Sequence, residues 1–130
     1  MTSGSACDAG SWAGGGIGVL LLSRRTSDTA VECMPYDASR YTGIAFDARG
    51  SGTLRIEVAS TQNNDEDFAG YEFTVSDSWS RYEVRWLQMT QGGWGTSIGG
   101  LNAGRIWKVQ WLSKTANFSF AIDNVTFLTN

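Results

Sequence analysis

Leu54-Arg55-Ile56-Glu57-Val58 alternates apolar and charged side chains with a period of two. In an extended chain successive side chains point to opposite faces. This segment therefore reads as a strand that lays Leu54, Ile56 and Val58 on a core and turns Arg55 and Glu57 the other way. The same period recurs on both sides of it, in Ile17/Val19/Leu21, Ile44/Phe46, Tyr71/Phe73/Val75, Tyr82/Val84/Trp86, Trp107/Val109/Trp111 and Phe118/Phe120/Ile122. Turn-rich segments separate these runs, among them Arg49-Gly50-Ser51-Gly52, Thr61-Gln62-Asn63-Asn64-Asp65 and Gln91-Gly92-Gly93-Trp94-Gly95, and no stretch carries a helical period. Short strands at this spacing predict an all-β fold, a two-sheet β-sandwich or jelly roll. With no linker or internal repeat, residues 1–130 read as one module with its core from about Cys7 to Leu128.

The last strand breaks phase. Phe118, Phe120 and Ile122 share one parity and Val125 and Phe127 the other, so one extra residue must be absorbed as a β-bulge around Asp123-Asn124. An Asp and an Asn on a bulge suit either a hydrogen-bonded turn or a calcium ion, since both offer oxygen ligands. Cys7 and Cys33 flank the first strand and its loops, as two thiols or as one disulfide of an oxidising compartment.

Composition excludes several function classes. There is no His among the 130 residues, which removes His-based triads, imidazole zinc sites and a titrating switch near neutral pH. Ten Lys and Arg against 13 Asp and Glu give a net charge of −3, the wrong sign for binding nucleic acid through its phosphates or for an anionic membrane. The longest apolar run, Ile17 to Leu22 interrupted by Gly18, is far too short to span a bilayer, and the first residues show no signal peptide. Gly14-Gly15-Gly16-Ile17-Gly18 lacks the spacing and the following helix of a phosphate loop, and reads as a strand entry.

The six Trp divide by context. Trp86 and Trp111 sit in inward phases and are expected in the core. Trp79 is expected to pack at a strand entry, and Trp107 is ambiguous. Trp12 sits between Ser11 and Ala13 ahead of the glycine cluster, and Trp94 lies within Gly92-Gly93-Trp94-Gly95, with no apolar neighbour to share burial. Exposed indoles on such loops suit a binding platform, and sugars fit it, because the C–H face of a pyranose stacks on indole while planar polar groups bond its hydroxyls. Arg55, Glu57 and Gln110, alternating with core residues, supply such groups. The acidic stretch Asp65-Glu66-Asp67 reads as a solvated turn, with a metal site or a catalytic carboxylate as its alternatives.

An ordered string of segments resembles the galactose-binding-like jelly-roll carbohydrate-binding modules, in particular the family 11 type and related modules of bacterial glycan hydrolases. It comprises Tyr36-Asp37-Ala38-Ser39-Arg40-Tyr41-Thr42-Gly43-Ile44-Ala45-Phe46, Phe73-Thr74-Val75-Ser76-Asp77-Ser78-Trp79, Tyr82-Glu83-Val84-Arg85-Trp86, Val109-Gln110-Trp111 and Phe120-Ala121-Ile122-Asp123-Asn124-Val125-Thr126-Phe127. The resemblance implies a concave face bordered by Trp12, Arg55, Glu57, Trp94 and Gln110. That face would bind a β-1,4- or mixed-linkage glucan without cleaving it. It also implies one structural calcium ion near the last strand, with Asp123 at an acidic position. Because the chain starts almost directly at the Trp12 strand, the family's first strand or strands are expected to be missing, which would leave the calcium site incomplete.

The expected protein is thus a secreted, monomeric, non-catalytic module that targets a linked glycoside hydrolase to polysaccharide. Two other readings differ in class. A small jelly-roll glycosidase or lyase would pair Glu57 with an acid from the Asp65 region across the groove. A protein-interaction sandwich would bury Trp12 and Trp94 or present them to another chain.

Overall fold

Alternation along the chain becomes nine strands among the described residues, which in the computed structural model are 16–20, 23–26, 31–115 and 119–129. They are β1 (Gly16–Leu20), β2 (Ser23–Thr26), β3 (Val31–Met34), β4 (Gly43–Ser51), β5 (Thr53–Ser60), β6 (Ala69–Thr74), β7 (Ser80–Arg85), β8 (Ile106–Ser113) and β9 (Ser119–Leu128). A four-stranded antiparallel sheet runs β1-β8-β5-β6 and a three-stranded one runs β7-β4-β9. The hairpin β2-β3, which the alternation did not announce, pairs separately. The chain is a β-sandwich of jelly-roll type, as its alternation predicts.

The inward residues of the two sheets meet as expected. Leu54, Ile56 and Val58 of β5 and Ile44, Phe46 and Ala48 of β4 are almost wholly buried. Phe46 is the centre of an aromatic cluster, edge-on to Trp111 at 5.4 Å, with Phe73 at 5.3 Å and Tyr82 at 5.8 Å. Fully burying each such large apolar side chain contributes about 1.5–3 kcal/mol. Trp111 Nε1 is buried without a hydrogen-bond partner among the described residues, a cost of roughly 1–3 kcal/mol that the packing of its ring offsets.

Two register shifts correct the simple alternation. On β8, Ala59 faces Lys108 but Ser60 faces Ile106, so Trp107 is an extra residue. The bulge puts Ile106 in the core and leaves Trp107 half-buried at the sheet's end, its Nε1 donating to the Ser60 carbonyl at 3.3 Å. On β9, Ala45 faces Thr126 but Asp47 faces Asp123, which places the expected bulge at Asn124, whose φ is 51°. Asn tolerates the left-handed region because its short side chain can bond locally. Here Asn124 Nδ2 donates to Asp47 Oδ2 at 2.7 Å, and the Asn124 N–H donates to Asp123 Oδ1 at 2.7 Å.

Trp86 packs on the core and donates Nε1 to the Tyr41 carbonyl at 2.9 Å. Trp79 departs from the packing role expected of it. It is 47% exposed, with the Arg49 guanidinium 5.2 Å from its ring centre. The strand Gly16–Leu20 begins within the glycine cluster, which reads as a strand entry and not as a phosphate loop. Ile17 pairs with Trp111 yet is 45% exposed. Trp12, Cys7 and the Cys7–Cys33 pairing lie outside the described residues.

Candidate functional site

The outer face of the four-stranded sheet holds the polar residues that alternate with the core. Because Glu57 pairs with Gln110 on one side and with Gly70 on the other, and Gln110 pairs with Gly18, one row across the sheet reads Gly18, Gln110, Glu57, Gly70. Glycines at both ends leave the two central side chains at the bottom of a trough. The next row places Leu112, Arg55 and Glu72 side by side.

These floor residues bond to one another. Gln110 Nε2 donates to Glu57 Oε1 at 2.6 Å, and Arg55 Nε donates to Glu57 Oε2 at 2.9 Å. Arg55 Nη2 donates to the carbonyls of Thr90 at 2.7 Å and Phe68 at 3.2 Å. Glu57 and Gln110 are only 9% and 6% exposed. A buried carboxylate is tolerated here because both of its oxygens are satisfied, one by a cation. Gly70 is required beneath the guanidinium, since a Cβ there would stand 2.8 Å from Arg55 Cζ and 2.5 Å from the Ile56 carbonyl oxygen.

The loop after β7 turns the sheet face into a groove. Thr90 and Gly70 exchange backbone hydrogen bonds of 2.8 and 2.9 Å, which pins the loop to the β6 edge. Beyond it, the Asp67 carboxylate accepts the N–H groups of Gly92 at 2.7 Å, Gly93 at 3.0 Å and Gly95 at 2.9 Å. Asp65 accepts those of Thr96 at 2.8 Å and Asp67 at 3.0 Å. Gln91 braces the same loop, donating to the carbonyls of Asp67 and Thr96 at 2.8 Å each. Asp67 is 2% exposed, so the solvated turn expected of Asp65-Glu66-Asp67 is corrected. Two of its carboxylates instead fasten the glycine loop. Gly95 admits this closeness, because a Cβ there would meet Asp65 Oδ2 at 2.6 Å.

Burial pushes the Asp67 carboxyl toward the neutral form, but the three N–H groups together outweigh it and hold the acid below the ordinary aspartate range. Asp65 is held low mainly by the Thr96 N–H. Neither is suited to donate a proton near neutral pH. Of the Asp65 region it is Asp67 that lines the groove with Glu57, and its carboxylate is taken up by three backbone N–H groups, so the glycosidase reading finds in it no free acid to face Glu57.

The fastened loop carries Trp94, 69% exposed, above the polar floor. A cavity of about 420 Å³ lies between them, lined by Arg55, Glu57, Asp67, Glu72, Trp94 and Lys114 among others. Of the residues singled out from sequence, Arg55, Glu57 and Trp94 come together on this cavity, and Gln110 bonds Glu57 from the neighbouring strand. Trp94 is not buried, which removes the form of the interaction-sandwich reading that buries it and leaves the form that presents it to another chain. Sequence reasoning missed Gln91, Glu72 and Lys114, and it singled out Asp67 without seeing its structural role. The partners of Asp67 lie 25 to 28 residues away in the chain, so only the spacing of two acids upstream of a glycine-rich loop hinted at the link.

Asp123 stands apart, on the other sheet. Its neighbour Asp47 is engaged by Asn124 Nδ2 and by Arg81 Nη1 at 3.3 Å, and is held below its usual range first by the Asn124 hydrogen bond and then by Arg81. No group of three or more acidic, Cys or His side chains is placed to hold a metal among the described residues. With a guanidinium already beside Asp47, the described residues around Asp123 do not fit a calcium ion. Such an ion would need ligands from outside them.

No family model matches the chain, and no curated protein matches it. Solved structures do. The family 11 carbohydrate-binding module of the cellulosomal cellulase Lic26A-Cel5E of Clostridium thermocellum is similar at a TM-score of 0.59 and 15% identity, over 95% of this chain and 92% of that one. A family 11 module from the same organism, in complex with a β-1,3-1,4-mixed-linked tetrasaccharide, is similar at 0.57 and 16% identity, over the same shares. At these identities the likeness establishes architecture: the chain has the fold of the family 11 carbohydrate-binding modules.

Proposed function

We propose that the chain is a non-catalytic carbohydrate-binding module that takes a polysaccharide, a β-1,4- or mixed-linkage glucan, in the groove beneath Trp94. The observation that carries this is the exposed indole held by a buried carboxylate over a polar trough. A rigid aromatic platform gives a sugar ring a C–H stacking surface at little entropic cost, and the trough below meets its hydroxyls. Arg55 presents Nη1, the one guanidinium nitrogen outside the bonds described above, and Glu57 and Gln110 present their remaining exposed edges. Trp12 would add a second stacking surface. A family 11 module of this fold solved with a mixed-linked tetrasaccharide supports the ligand class.

By the same analogy the module works outside the cell, as a monomer, and brings a linked glycoside hydrolase to its substrate. A related module belongs to a cellulosomal cellulase, which supports the tether. Shallow, wet contacts of this kind correspond to affinities of roughly micromolar to millimolar. Replacing Trp94 with Ala should abolish retardation in a β-glucan affinity gel while leaving the thermal transition in place. Unaltered retardation would remove Trp94 from the site, and a wild-type chain that no neutral glucan retards would overturn the reading.

A further inference from the structure

We propose that Glu72 and Lys114, on the rim of this groove, add the most accessible hydroxyl-reading groups to its floor, and that the groove selects neutral glycans over uronic-acid polymers. The inference rests on the carbohydrate-binding reading above and adds to it the residues and the ligand class. Most of the lining is already committed. Arg55 spends three of its donors inside the protein, both oxygens of Glu57 accept internal bonds, and the Asp67 carboxylate is filled by backbone N–H groups. Ser113 Oγ both donates to the Thr115 carbonyl and accepts the Thr115 N–H. These groups also lie deep, with the Arg55 and Glu57 side chains only 12% and 11% exposed and Asp67 only 2% exposed, so a ligand reaches little of the hydrogen-bonding capacity they have left.

Glu72 and Lys114 differ. Both line the same cavity as Trp94, with side chains 51% and 50% exposed. Their charged atoms stand 3.9 Å apart, beyond the reach of a good charge-assisted hydrogen bond. The pair attracts weakly, yet each member keeps its hydrogen-bonding capacity. Their backbones are fixed: Glu72 lies in register with Arg55 on β6, and the Lys114 N–H bonds the Thr53 carbonyl at 2.8 Å. A carboxylate accepting two neighbouring hydroxyls beside an ammonium donating to a third suits a sugar diol. Leu112, on the same lining, offers an apolar patch to a C–H face.

The ionised groups on the lining are three carboxylates, Glu57, Asp67 and Glu72, against two cations, Arg55 and Lys114. The net charge of −1 disfavours a polymer that brings a carboxylate on every ring, because a carboxylate reaching for Lys114, the only exposed cation of the set, comes up against Glu72 3.9 Å away from it. A neutral chain suffers no such penalty.

The test uses the intact chain with Glu72→Gln and Lys114→Gln, titrated calorimetrically with a mixed-linkage β-glucan tetrasaccharide. Affinity gels of neutral β-glucan and of polygalacturonate are run beside it. Each substitution should weaken binding roughly tenfold with an unchanged thermal transition, and polygalacturonate should not retard the wild type. Full affinity in either variant, or retardation by polygalacturonate equal to that by β-glucan, would overturn this inference while leaving glucan binding intact. A wild type that no neutral glucan retards would instead sink the carbohydrate-binding reading beneath it.

Discussion

Gln110 Nε2 lies 2.6 Å from Glu57 Oε1, joining the two central strands of the four-stranded sheet on the face turned away from the core. The bond holds a nearly buried carboxylate in place beneath the groove, and Arg55 completes it from the other side.

Gln110→Ala strips one oxygen of the nearly buried Glu57 of its donor. We expect a loss of about 1–3 kcal/mol in urea unfolding. Combining it with Glu57→Gln should cost less than the two single losses added together, because the second change removes the charge that the first left stranded.

Gly70→Ala places a methyl group against the Ile56 carbonyl and the Arg55 guanidinium. We expect destabilisation of about 1–3 kcal/mol and weakened glucan retardation, since the guanidinium must leave the floor. A fully stable variant with normal retardation would show that the floor is not braced in this way.

The lowered pKa values of Asp65 and Asp67 make the Trp94 loop sensitive to acid. Asp65 and Asp67 titrate below the ordinary aspartate value of about 3.9. Their contribution is complete above that pH and is lost as pH falls below it through the lowered folded values. Acrylamide quenching of Trp94, isolated by difference from Trp94→Ala, should be constant from pH 8 down to about 4 and rise below it. Asp67→Asn should raise quenching and weaken glucan binding already at pH 7.

Asn124→Val forces a β-branched residue into φ 51° and should cost about 1–3 kcal/mol in thermal or urea unfolding. Asn124→Gly keeps the bulge and should cost clearly less. Equal losses would mean that the bond to Asp47, and not the backbone, is what matters there.

Much of this protein is legible in the chain because alternation is a local property: each residue's parity against its neighbours decides its face, whatever the partner strand. That alone set the β-sandwich, the inward Ile56, Phe46 and Trp111, the outward Arg55, Glu57 and Gln110, and even the β9 bulge, which is a fault in the same count. It failed where local period is weak or interrupted: the short hairpin β2-β3, the extra residue at Trp107, and Trp79, which lies half exposed beneath Arg49. What only tertiary structure decided is who meets whom across long stretches of chain. Asp67 reaches the loop of Trp94, Arg55 reaches the Thr90 carbonyl, and Lys114 comes to face Glu72. Those meetings depend on strand order and loop closure, which no short window of sequence encodes, and they convert a row of outward polar side chains into a groove with a committed floor and an open rim.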